Sequence, residues 1–122
     1  MTNARFSHGH RGLIAWQKAV DYADHVLSVC DGVPIRLGAG ILPQLRRSVI
    51  SIPSNIAEGY GRPIGEKVLY IRHSRGSLRE SDTQLELLLR RGGLKTETML
   101  ALLEQADEIE RLTYGLMTPA NR

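Results

Sequence analysis

Cysteine is almost missing: Cys30 stands alone in 122 residues. A lone thiol closes no intrachain bridge, so a disulfide-held secreted fold is excluded and a reducing, cytoplasmic setting is expected. Aromatics are scarce, with one Trp, one Phe and four Tyr, too few for a platform on which successive bases of a single strand would stack. No apolar run approaches the roughly 20 residues a membrane-spanning helix needs, so no membrane partner is expected. Residues 1–12 are polar and lack the apolar segment of a secretory leader. They are expected as a flexible tail, with a second tail at 119–122. Strand-like alternation is absent throughout.

What remains is a chain of one-domain length whose apolar residues recur at helical spacing. Leu13, Trp16, Val20, Ala23, Leu27 and Cys30 form a stripe, widened by Ala19 and Val26, and Asp31-Gly32-Val33-Pro34 ends that first helix. Ile35 to Leu42 is broken by glycines and reads as a loop or short turn. Pro43 suits the first turn of a second helix, whose stripe is Leu45, Val49, Ile52 and Ile56. The stripe crosses Pro53 without changing phase, so one kinked helix is expected there, with the Val49 carbonyl freed and in need of a partner. A third helix follows Pro63-Ile64-Gly65 and runs to about Arg91, with Ile71, Leu78, Leu85 and Leu88 inside and Ser74 and Ser81 filling gaps. Gly92-Gly93 stops it. Thr96 is the expected N-cap of a fourth helix that buries Met99, Leu102, Ala106, Ile109, Leu112 and Leu116. The fold class is therefore all-α, an antiparallel up-down-up-down four-helix bundle over residues 13–118.

Two helices carry rows of small polar residues. Ser51, Ser54 and Glu58 lie on the second, with Ser48 and Asn55 alongside; Ser74, Ser77 and Ser81 lie on the third, next to Gly76 and Glu80. Facing rows of this kind point to close backbone approach. Ser51, Ser54, Asn55, Glu58, Ser77 and Glu80 are expected to form a polar seam whose hydroxyls answer carbonyls loosened by Pro53 and whose Asn55 or Glu58 reaches Ser77.

These residues also carry a resemblance. Leu13-Ile14-Ala15-Trp16-Gln17-Lys18-Ala19, Gln44-Leu45-Arg46-Arg47-Ser48, Ser51 to Gly59 and Arg75-Gly76-Ser77-Leu78-Arg79-Glu80 together resemble the four-helix-bundle proteins associated with intervening sequences of bacterial 23S ribosomal RNA genes. The resemblance implies a left-handed bundle assembled into a ring, a homopentamer, and kinship with the basic accessory bundles of diversity-generating retroelements, which bind nucleic acid and a reverse transcriptase. For most of the group no activity is established. Tyr70 and Ser74 stand where the family usually has Phe and Ala, Ser81 stands where it usually has Leu, and the segment from Ile35 to Ile41 is glycine-rich where others are polar.

Charge is unevenly spread. Arg36, Arg46, Arg47, Arg62, Lys67, Arg72, Arg75 and Arg79 face only Glu58 and Glu66 over their span, whereas Glu97, Glu104, Asp107, Glu108 and Glu110 have no base among them. Arg46, Arg47, Arg72, Arg75 and Arg79 are the candidate phosphate contacts to RNA or DNA, the last three as an exposed ridge. The plainer reading is a solvated face with local pairs, Arg79 with Asp82 and Glu86 with Arg90, or pairing between subunits with Glu104, Asp107, Glu108 or Glu110. No Glu-x-x-His pair supports a di-metal bundle site. His8 and His10 lack further ligands, Asp21 and His25 read as a solvated pair, and Cys30 reads as a buried inert thiol. His73 and Ser77 run side by side on one helix with no oxyanion loop. No catalytic residue, metal or cofactor is expected. The expected function is a non-enzymatic oligomeric binding or assembly module with nucleic-acid affinity through its basic face. A purely structural ring, or one that engages another protein, is the alternative.

Overall fold

The protein is described here by a computed structural model covering residues 8–118. Among these residues all regular structure is helical: a 3-10 turn at Gly9–Gly12, then α1 (Ile14–Asp31), α2 (Ile35–Gly38), α3 (Leu42–Gly59), α4 (Ile64–Arg90) and α5 (Thr96–Leu116). The expected tails fall outside the described residues at 1–7 and 119–122. Within 8–12 the chain is turned back, and the His10 ring lies edge-on to Trp16 and Tyr60 at 5.1 and 6.5 Å between centroids. No helix among the described residues is long and apolar enough to cross a membrane.

The helix beyond the expected four is α2, a single turn in the segment read as loop or short turn. Pro34 precedes it with φ −59° and the Pro34 carbonyl accepts from the Leu37 amide. Arg91, just past α4, donates through Nε to the Leu37 carbonyl at 3.0 Å and so ties this turn to the far end of α4. The long helices contact one another in a closed circuit: α1 meets α3 and α5, and α4 meets α3 and α5, with α3 against α4 the most extensive of the four contacts.

The apolar stripes explain most of that packing. Leu45, Val49, Ile52 and Ile56 of α3, Ile71, Leu78, Leu85 and Leu88 of α4, and Met99, Leu102 and Ile109 of α5 are all buried. Pro53 sits inside α3 without interrupting it, and Pro43 occupies its first turn. The end of α4 is a glycine stop: Gly92 takes φ +81°, its amide donates to Leu89 O, and the Gly93 amide donates to Leu88 O at 2.9 Å. At the other end of α4, a Cβ on Gly59 would come within 3.1 Å of the Tyr70 Cβ. The absence of a side chain there lets the end of α3 close onto α4.

Two expectations fail at α1 and α5. The fully buried face of α1 is Ala19, Tyr22 and Val26, with Ala15, Ala23 and Cys30, whereas Trp16 and Leu27 are only half-buried. The inward direction is set by contact with both α3 and α5, which rotates the buried arc toward Tyr22. The Tyr22 hydroxyl meets Ser81 Oγ at 2.9 Å. Ser81 already donates to the Leu78 carbonyl at 2.7 Å, and a hydroxyl has one hydrogen, so Tyr22 is the donor. Burial, tempered by that Ser81 bond and reinforced by nearby Asp82, pushes the Tyr22 phenol up to about 12. On α5, Lys95 (φ −79°, ψ 148°) holds the cap position and Thr96 already belongs to the helix, without a side-chain cap.

Candidate nucleic-acid interface

The seam between α3 and α4 is polar, and its contents can be followed residue by residue. Ser77 Oγ donates to Ser51 Oγ at 2.9 Å, and Asn55 Nδ2 donates to the Ser51 carbonyl and to Ser51 Oγ, each at 2.9 Å. Ser74, fully buried, donates across to the Ile52 carbonyl at 2.9 Å. Ser54 donates back to the Ile50 carbonyl at 2.8 Å. The carbonyls answered are thus those of Ile50, Ser51 and Ile52. Asn55 reaches Ser77 through Ser51 rather than directly, and Glu58 contributes its backbone carbonyl, which accepts from Arg62 Nε at 2.6 Å. Ser74 stands in the small polar row of α4 and supplies the crossing bond, because this face of α4 meets the turn preceding Pro53.

Above this seam the surface opens into a recess of about 290 Å³ flanked by Arg47 and Gln44 on α3 and by Glu80 and Gln84 on α4, with Ser51 and Ser77 at its base. Ser77 and Glu80 also border a wider depression on α4, about 560 Å³, with Leu69, Arg72 and His73. The two depressions therefore adjoin at Ser77 and Glu80. Arg47, Arg72 and Glu80 are exposed, and none has a hydrogen-bond or ion-pair partner among the described residues. His73 is exposed beside them, but the Ser77 hydroxyl is committed to Ser51.

The other arginines are placed differently. Arg75 is not part of an exposed ridge: its side chain keeps 12 % of its surface and turns toward α5. It donates to the Glu110 carbonyl at 2.6 Å, to the Glu110 carboxylate at 2.8 Å and to Thr113 Oγ1 at 3.0 Å, and lies over the Tyr114 ring. Thr113 is fully buried and donates in turn to the Ile109 carbonyl. Arg79 stays exposed and approaches Glu110 at 3.7 Å rather than Asp82, while Arg46 lies 3.5 Å from Asp31. The Glu86–Arg90 pair forms at 2.9 Å as expected. Three of the five acids of α5 find bases within the chain: Glu110 takes Arg75, Glu108 lies 3.8 Å from Lys18, and Asp107 bonds to Arg111, whereas Glu97 and Glu104 have no ion-pair partner among the described residues.

Two further residues are explained by position. His25 Nδ1 pairs with Gln105 Oε1 on α5 at 2.6 Å, because it is half-buried against that helix and not on the outer face with Asp21. Cys30 is buried, and burial pushes its thiol up, away from the reactive thiolate. No group of three or more metal-ligating side chains comes together among the described residues. An apolar groove of about 490 Å³ lies between α1 and α3, bordered by Trp16, Val20, Leu27, Ile50, Pro53 and Ala57.

The model of the family described as 23S rRNA-intervening sequence protein matches residues 11–115. No curated protein matches the chain.

Proposed function

The chain belongs to the 23S rRNA-intervening sequence protein family, and from that premise we propose that it is a non-enzymatic, oligomeric binding module that engages RNA or DNA through α3 and α4. The observation that carries the reading is the pairing state of the arginines. Arg47 and Arg72 border two adjoining depressions that share Ser77 and Glu80, and neither has an acidic partner among the described residues. Arg79 adds an exposed guanidinium on the same side of α4 as Arg72, seven residues on. Unpaired guanidinium groups on a shared surface are the donors that phosphate contacts use. Arg75 leaves the proposed surface, because its work is to hold α5. Arg46 contributes less, being drawn toward Asp31.

In this reading the long helices form a left-handed up-down-up-down bundle, kinked at Pro53, that assembles into a homopentamer in the cytoplasm. Ile50 and Leu69 support assembly, since both are more than half exposed, and Ile50 borders the apolar groove of α1 and α3. That groove also favours the second reading, a ring whose role is structural or directed at another protein.

Anisotropy titration of a structured RNA, at low and at moderate salt, tests the proposal. The expected result is binding that weakens as salt rises, with a slope that falls by about one when Arg72 is changed to Ala. Absence of binding at low salt, or binding with no salt slope, leaves the structural ring as the reading.

A further inference from the structure

The recess between α3 and α4 holds more chemistry than phosphate contact uses. Glu80, exposed at the recess on its α4 side, carries two carboxylate acceptors with no partner among the described residues. Arg47, on the other flanking helix, is a fork of donors with no acceptor. The recess therefore offers acceptors on its α4 side and a guanidinium on its α3 side. At about 290 Å³ it lies at the small end of ligand clefts, which run from roughly 300 to 1,000 Å³. That suits one flat heteroaromatic ring system and not a folded segment of protein.

We propose that this recess takes a single unpaired guanine base. The inference rests on the nucleic-acid reading above and adds to it a base preference. Guanine alone among the common RNA bases presents two adjacent N–H donors, N1–H and the N2 amino group, on one edge and two adjacent acceptors, O6 and N7, on the next. The two oxygens of the Glu80 carboxylate accept from the first edge, and the Arg47 guanidinium donates to the second. Uracil presents one ring N–H between two carbonyl oxygens, and adenine and cytosine each present an amino group beside a ring-nitrogen acceptor, so none offers two adjacent donors to the carboxylate. Recognition by base edges outside a duplex is the usual way in which RNA sequence is read.

The test has two arms on the full chain. Calorimetric titration with the four nucleoside 5′-monophosphates reads the recess by itself, and all four carry the same phosphate. The expected result is binding of GMP about tenfold tighter than of UMP, AMP or CMP, with inosine 5′-monophosphate, which lacks the N2 amino group, falling back to the level of the others. In the second arm, an oligouridine of about eight nucleotides is compared with the same strand carrying one central guanosine. The guanosine strand binds about tenfold tighter, and Glu80→Gln brings that ratio close to one. Arg72→Ala weakens both strands and leaves the ratio unchanged. Glu80 has no partner to lose, so circular dichroism of Glu80→Gln is expected to match that of the unaltered chain. Equal binding of both strands with a normal salt slope overturns the guanine site while the nucleic-acid reading stands. No binding of either strand overturns the nucleic-acid reading, and GMP discrimination in the first arm then decides the recess alone. Equal affinity for all four monophosphates, with the recess shielded only when the chain self-associates, assigns it to a side chain of a second copy and also overturns the proposal.

Discussion

Tyr22 sets a phenolic hydroxyl among apolar side chains, and a single serine makes the arrangement stable. Ser81 accepts from Tyr22 and donates to the Leu78 carbonyl, so the hydroxyl pair is satisfied without water. Tyr22→Phe removes the donor and leaves the Ser81 lone pair unanswered, at a cost of about 1 kcal/mol below pH 10. The sign reverses in alkali. The folded phenol, raised to about 12 from 10, stays protonated where the unfolded one has ionised. The native state then binds more protons, and stability falls as pH rises from 10 toward 12, by at most about 1.4 kcal/mol per pH unit. Urea melts of the two proteins should therefore differ in favour of the unaltered chain below pH 10 and cross at about pH 11, where the proton linkage has offset the bond. Parallel pH profiles would remove the assignment. Part of this pair was legible in the sequence and part was not. Ser81 was visible as a polar residue at an inward position. Its partner was hidden because α1 carries two apolar stripes, one through Ala15, Ala19, Tyr22 and Val26, the other through Trp16, Val20 and Leu27. Larger side chains favoured the second, but contact with both α3 and α5 selected the first.

Between elements, charge acts mainly as a clasp. Arg75 joins α4 to α5 through the backbone and carboxylate of Glu110 and through Thr113, whereas Arg72, one turn earlier on α4, holds nothing among the described residues. Arg75→Ala leaves the half-buried Glu110 carboxylate with only the 3.7 Å approach of Arg79 and removes bonds to charged and backbone acceptors. It should cost about 2–4 kcal/mol, against less than about 0.5 kcal/mol for Arg72→Ala, as measured by urea unfolding. Equal effects would mean that the clasp carries no stability. Spacing along α4 could not separate these two residues: both are arginines on the solvent side of the seam. What distinguishes them is the rotation of α5, which brings Glu110 beneath one and not the other. The helices themselves were legible, since Leu45 to Ile56 and Ile71 to Leu88 bury as their spacing requires. The turn α2 was not, because one helical turn is too short to show a period and depends on the Pro34 carbonyl and the Arg91 guanidinium for its partners.

Over the whole molecule, the circuit of helices has an uneven arrangement along the chain. Three of its four contacts, α1 with α3, α3 with α4 and α4 with α5, join long helices that follow one another, with only the single turn α2 between the first two. The fourth, α1 with α5, joins the two ends and is carried in part by the bond of His25 to Gln105, 80 positions apart, and by Lys18 near Glu108. Closing that contact orders the longest stretch of chain, so its entropy cost falls late, after the local pairs have formed. Interactions absent from the transition state act on the rate of unfolding. Stopped-flow measurements on Gln105→Ala should show unfolding faster by about fivefold, for a bond worth roughly 1 kcal/mol, with refolding unchanged. A slowed refolding limb would place α5 in the nucleus. The contact between the first and last helices thus acts as the latch of the structure, and its strength sets how long a folded molecule lasts rather than how quickly one forms.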